Sequence, residues 1–209
     1  MIGILGGTFD PVHYGHLRVA LDVKEIFGLT EVRLIPSAIP PHREQPAASA
    51  LMRSEMLALA VKNQPGLRVD ARELDRPGAS YMVDTLYSLR QDFPAQALLL
   101  FIGTDAFNHL TDWYRWRDLF DYAHLVVMTR PGITMQKIDG FFNGRLARNK
   151  QELAQAIAGK LFFQAVTQLD ISATAIRRMI AEKQNPGFLL PDAVIAYIKQ
   201  NKLYETEET

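Results

Sequence analysis

The 209-residue chain has no cysteine, which excludes disulfide bridges and thiolate-held metal, and leaves no thiol signal of compartment. It has no excess of either charge: 23 Lys and Arg stand against 23 Asp and Glu. That balance excludes the broad basic footprint with which proteins neutralise nucleic-acid phosphates, though not a local patch. No apolar run is long enough to span a bilayer, and no basic segment followed by an apolar stretch opens the chain. Met1 directly precedes the first predicted strand, so no cleaved presequence is expected. Internal repeats are also absent. A cytoplasmic protein with neither membrane nor nucleic-acid partner is therefore expected. At this length it fits one domain over residues 1–209, large enough to bury a true core.

What is present is an alternation of apolar blocks with amphipathic ones, the mark of β-α-β units around a parallel sheet. Strands are predicted at 2–6, 31–36, near 67–70, 97–102, 123–128 and 161–166, with helices at 15–28, about 50–63, through Leu86 and Leu89 to about 92, and at 172–183 and 191–200. The expected fold class is α/β: a Rossmann-like, doubly wound parallel sheet with helices on both faces and a small helical part at the end. In the first helix, Arg18, Asp22 and Glu25 form a polar stripe, and Gly28 reads as its C-cap. Ser37–Ser49, rich in Pro and Ala, reads as a surface loop. Residues 133–160 show no clear period.

The most informative segment is Gly6-Gly7-Thr8-Phe9-Asp10-Pro11-Val12-His13-Tyr14-Gly15-His16. A strand ends in a glycine turn, a turn signal follows at Asp10-Pro11, and two histidines stand three apart where a helix begins. Strand, glycine turn and helix start together present backbone N–H groups to a phosphate. Spacing of three puts both imidazoles on one face of the opening helical turn. The pattern is neither a Walker loop, since no Gly-Lys-Ser/Thr follows, nor the G-x-G-x-x-G dinucleotide fingerprint. Gly6-Gly7 alone would be a plain turn; the combination points to phosphate chemistry.

A second segment, Ile171-Ser172-Ala173-Thr174-Ala175-Ile176-Arg177, also opens a helix after a strand. Ser172 suits the N-cap, Thr174 lies in the first turn, and Arg177 can reach forward to hold anionic oxygens in a fork. In an open α/β sheet such helix starts gather at the carboxyl edge of the strands. Two of them facing one crevice would hold a polyphosphate such as ATP.

Together these two segments resemble the nucleotidyltransferase superfamily with the histidine-x-glycine-histidine signature. Over essentially its full length the chain is similar to the bacterial nicotinate-nucleotide adenylyltransferase family. Supporting segments are Pro36-Ser37 with Pro40-Pro41-His42, Ser80-Tyr81 with Asp84-Thr85-Leu86, Ile102-Gly103 with Asp105, and Trp113 with Trp116. Two positions depart from the family pattern: Arg43 stands where lysine is common, and Met82 where threonine or serine is common.

The resemblance implies adenylyl transfer from ATP to nicotinate mononucleotide, giving deamido-NAD and pyrophosphate. It implies His13, His16 and Arg177 as the catalytic groups. For ATP it implies Gly6, Gly7, Thr8, Phe9, His16, Gly103, Asp105, Ile171, Ser172, Thr174 and Arg177, with Asp105 on the ribose side. For the mononucleotide it implies Ser37, His42, Arg43, Ser80, Tyr81, Met82, Trp113, Tyr114 and Arg130, with Trp113 stacking on the pyridine ring and Trp116 structural. Mg²⁺ is expected to arrive on the ATP phosphates, with no protein metal ligand. A homo-oligomer is compatible with the sequence, which specifies none.

Four rival readings remain. Nicotinamide mononucleotide is an alternative acceptor, to be separated by the backbone around 80–83 and 113–115. Pantetheine-phosphate adenylyltransferases share the first and last motifs but tend to be shorter and lack the Trp-x-x-Trp region. Class I aminoacyl-tRNA synthetases need a lysine-rich loop and far more chain. A nucleotide-binding regulatory module would be favoured by a missing imidazole, yet both are present.

Overall fold

A computed structural model of the chain describes residues 1–40, 45–129 and 140–205. Strands β1 (Ile2–Gly7), β2 (Glu31–Pro36), β3 (Leu67–Val69), β4 (Leu98–Gly103), β5 (His124–Thr129) and β6 (Leu161–Ala165) form one sheet. All pair in parallel, in the order β3-β2-β1-β4-β5-β6. The winding direction reverses between β1 and β4, so connections leave their carboxyl ends in opposite directions and open a crevice there.

Between the strands lie α1 (Tyr14–Phe27), α2 (Ala50–Val61), α3 (Met82–Asp92), the short α4 (Thr104–Asn108) and α5 (Leu119–Tyr122), then α6 (Ala173–Ala181) and α7 (Asp192–Gln200). Side chains alternate along each strand and feed two cores. Ile2, Ile4, Leu98, Leu100 and Ile102 face one, beneath Leu86 and Leu89 of α3 and Phe120 of α5. Leu5, Leu99 and Phe101 face the other, with Val23 of α1, Met56 of α2, Ile176 of α6 and Val194 of α7. A strand buried on both faces must be apolar throughout, which is why β4 reads as an unbroken hydrophobic run.

Each predicted strand is present within a residue of its expected bounds. Gly28 adopts the left-handed conformation, φ 60°, that closes α1. In the polar stripe of α1, Asp22 is buried. Its carboxylate accepts from Arg18 Nε and from the Thr167 backbone N–H, both at 2.7 Å, tethering the segment before α6 to α1. Within 140–160 the structure has 3-10 turns at Gly140–Phe142 and Lys150–Ala154. The Phe141 and Phe142 rings pack on Trp116, which is buried. Among the described residues no helix is long and apolar enough to cross a membrane.

Candidate active site

β1 ends at Gly6-Gly7 beneath crowded neighbours. A Cβ on Gly6 would fall 2.7 Å from Met82 Cε, and one on Gly7 3.0 Å from the Phe9 ring. Phe9 is buried in the left-handed region, φ 50°, which turns the chain back before α1 begins. His13 then caps α1 with extended backbone, and its N–H donates to His16 Nδ1 at 3.4 Å. A neutral His16 ring that accepts at Nδ1 carries its proton on Nε2. The two imidazoles stack, their centroids 3.8 Å apart, with the edge of Phe9 against His16. Burial pushes the pKa of His13 down to about 4, so this ring is neutral at physiological pH. A Cβ on residue 15 would come within 2.9 Å of His13 Nδ1, so only glycine leaves the ring in place. The Tyr14 N–H is engaged by the Leu189 carbonyl and the His16 N–H by that of His13, so α1 offers fewer open N–H groups than the sequence suggests.

Asp10, which the sequence presents only as a turn residue, is a buried junction. Its carboxylate accepts the N–H groups of Ala47 at 2.8 Å and Ala48 at 3.2 Å, and the Tyr204 hydroxyl at 2.7 Å. Its carbonyl accepts from Arg177 Nη1 at 2.7 Å. This bond brings α6 against the start of α1, and Arg177 also touches Thr174 Oγ1 at 3.4 Å. Ser172 caps α6 by accepting from the Ala175 N–H. The N–H groups of Ala173 and Thr174 have no carbonyl to meet within the helix.

Arg53 of α2 supports this turn from below. Although buried, its guanidinium meets the carbonyls of Thr8, Ser37, Ala38 and Ala48, and burial lowers its pKa. Nothing in the local sequence marks Arg53, because three of its four carbonyl partners lie 15, 16 and 45 positions away.

Beside the histidines a cleft is lined by His13, Gly15 and Val19 of α1, Gly103 and Met128 at the ends of β4 and β5, and Gln168, Leu169 and Ile171. Thr104 Oγ1 donates to the Met128 carbonyl at 3.2 Å and holds these strand ends together. Asp105 lies exposed in the first turn of α4.

The residues read for a second substrate gather around the start of α3. Ser80 Oγ accepts the N–H groups of Ala38 and Ile39, which fixes the loop after β2. The Tyr81 and Tyr114 rings lie 4.5 Å apart, and Trp113 is half-buried against the second core. Met82 opens α3 and reaches the Gly6 turn, joining this group to the first. Ser37 donates its N–H to the Gly7 carbonyl, and its hydroxyl is buried. His42, Arg43 and Arg130 lie outside the described residues.

Residues 4–179 match the family model described as cytidylyltransferase-like. The chain is 46% identical over 208 residues to a probable nicotinate-nucleotide adenylyltransferase of Methylococcus capsulatus, covering 98% of this chain and 99% of that one. It is 48% identical over 196 residues to a protein of Halorhodospira halophila with the same description, covering 92% and 90% respectively. Among solved structures it is similar to Plasmodium falciparum nicotinic acid mononucleotide adenylyltransferase complexed with NaAD. The TM-score is 0.70 over 97% of this chain and 96% of that one, at 16% identity, a likeness of fold.

Proposed function

The chain belongs to the cytidylyltransferase-like family, and from that premise we propose that it transfers the adenylyl group of ATP to nicotinate mononucleotide in cytoplasmic NAD synthesis, releasing pyrophosphate. It is an enzyme, a nucleotidyltransferase. A phosphate oxygen of the mononucleotide bonds to the α-phosphorus of ATP while the bond to the bridging oxygen of the β-phosphate breaks. The electron pair of that bond leaves with pyrophosphate. The attacking oxygen is already anionic, so the protein needs no nucleophile and no strong base. It has to align two polyanions and stabilise the charge that moves to the leaving oxygens.

The observation that carries this reading is the Arg177 bond to the Asp10 carbonyl, three residues ahead of the stacked His13–His16 pair. One triphosphate can span these groups. His16 donates from Nε2 to the α-phosphate, while neutral His13 supports that ring by stacking and serves the leaving oxygens as an uncharged donor. The turn at Gly6, Gly7, Thr8 and Phe9 follows the same phosphate. Arg177, Thr174 and the N–H groups opening α6 at Ser172 take the β- and γ-phosphates. Gly103, Asp105 and Ile171 border the adenosine. The aromatic group of Tyr81, Trp113 and Tyr114 receives the pyridine ring, and the open N–H groups of Met82 and Val83 receive its carboxylate.

ATP enters such transfers with a divalent metal, here proposed as Mg²⁺, whose charge shields the phosphate oxygens. Among the described residues no group of three or more His, Asp or Glu is placed to hold a metal. The Asp10 carboxylate is already occupied by amides and a hydroxyl. A metal carried on phosphate oxygens and water would need no such group.

The test is acceptor-dependent pyrophosphate release from ATP, with nicotinate mononucleotide, nicotinamide mononucleotide and phosphopantetheine compared. Release is expected with the first and at least tenfold less with the others. Equal or better turnover of another acceptor overturns the substrate assignment, and ATP binding without release overturns catalysis. His16→Ala should lower kcat about a hundredfold or more with little change in ATP affinity. Trp113→Ala should raise KM for the mononucleotide far more than for ATP.

A further inference from the structure

We propose that Tyr204, acting through Asp10, is a positioning residue that keeps Arg177 available to the phosphates of ATP; this rests on the adenylyl-transfer reading. Tyr204 follows α7 and lies 194 positions from Asp10, yet its hydroxyl donates to Asp10 Oδ1 at 2.7 Å. Its backbone occupies the left-handed region, φ 65°, as does that of Lys202, φ 51°. Residues other than glycine adopt that conformation uncommonly. Burial, and then the neighbouring carboxylate, push the Tyr204 pKa upward, so the phenol keeps its proton and remains a donor.

The consequence lies with Arg177. Its Nη1 stands 3.8 Å from Asp10 Oδ2, close enough for attraction but beyond a hydrogen bond, and it donates instead to the Asp10 carbonyl. The carboxylate is satisfied by two backbone N–H groups and the Tyr204 hydroxyl. Without that hydroxyl, a buried anion would be left short of a donor, which is costly. Among the described residues the other nearby cation, Arg53, is committed to backbone carbonyls. Arg177 is the group placed to move in, and a guanidinium drawn onto Asp10 is withdrawn from a triphosphate. Tyr204 thus sets how a permanent cation divides its attention between an internal anion and a substrate.

The experiment uses the full chain and the non-hydrolysable probe α,β-methylene-ATP. Tyr204→Phe keeps the ring and removes the hydroxyl. It is expected to raise the Kd for the probe and KM for ATP about tenfold, with KM for nicotinate mononucleotide within twofold of wild type. A merely structural role would lower the melting temperature without separating the two substrates. Placed on an Arg177→Ala background, whose side chain is 31% exposed in the parent, the same change should alter probe affinity by less than twofold. Unchanged probe affinity in Tyr204→Phe, equal weakening toward both substrates, or a tenfold loss that persists without Arg177 overturns the inference. If wild type bound the probe but used no mononucleotide, the catalytic reading would fail while the probe measurements still decided the role of Tyr204.

Discussion

His13 is buried beside the proposed ATP site, but its low pKa keeps it from adding positive charge there at physiological pH. Its proton uptake belongs to unfolding. An exposed histidine binds a proton near pH 6.5, whereas folded His13 does so only near 4, so between these values the unfolded chain holds more protons. The stabilising contribution is complete above pH 6.5 and is lost as pH falls toward 4. A difference of this size corresponds to roughly 3 kcal/mol across the window. His124, buried between the Ala156 carbonyl and the Lys160 N–H, also has a lowered pKa and acts in the same direction. Urea unfolding at pH 7 and pH 4.5 should show wild type losing clearly more stability than His13→Gln, which cannot titrate. Parallel losses in the two proteins would mean that His13 is not held neutral by the fold.

At the scale of the element, the start of α1 is built around the space at Gly15. Gly15→Ala is otherwise favourable for a helix, by roughly 1 kcal/mol at an interior position. Here the added methyl meets His13 Nδ1 at 2.9 Å, so the ring must tilt and the stack with His16 must open. Turnover is expected to fall at least tenfold while the melting temperature changes by only a few degrees; unchanged kcat would show that the stacked geometry is dispensable. This element was legible in the sequence because its signals are local: a glycine turn, a cap and two histidines at helical spacing. The strands were legible for a related reason, since burial on both faces makes Leu98–Ile102 apolar without a break. Arg53 shows what such patterns miss. On α2 it looks like an ordinary polar-face residue, yet its meaning comes from carbonyls at residues 8, 37, 38 and 48 that only the folded sheet assembles. Asp22 was legible as part of a polar stripe, but its burial against the Thr167 amide, 145 positions away, was not. Tyr204 had no local signal at all, its partner being almost the whole chain away.

For the whole molecule, the site exists only where the two halves of the sheet meet. The glycine turn belongs to β1, the cleft wall to the ends of β4 and β5, and the guanidinium to a helix that follows β6. Asp10 joins segments 37, 167 and 194 residues away in sequence. An unfolded chain cannot bring these groups within reach of one triphosphate, so on the proposed reading ATP binds the native state alone and shifts unfolding by mass action. At a hundred times its Kd, a ligand adds about 2.7 kcal/mol, which for a chain of this size raises the melting temperature by roughly 5–10 °C. Wild type should show that rise with α,β-methylene-ATP. Arg177→Ala, keeping the α1 end but losing the α6 end, should show less than half of it at the same concentration. Removing one end must weaken binding if the triphosphate bridges both, because the remaining contacts cannot hold the far phosphates. Equal shifts in the two proteins would place the whole triphosphate on α1 and dissolve the two-ended site.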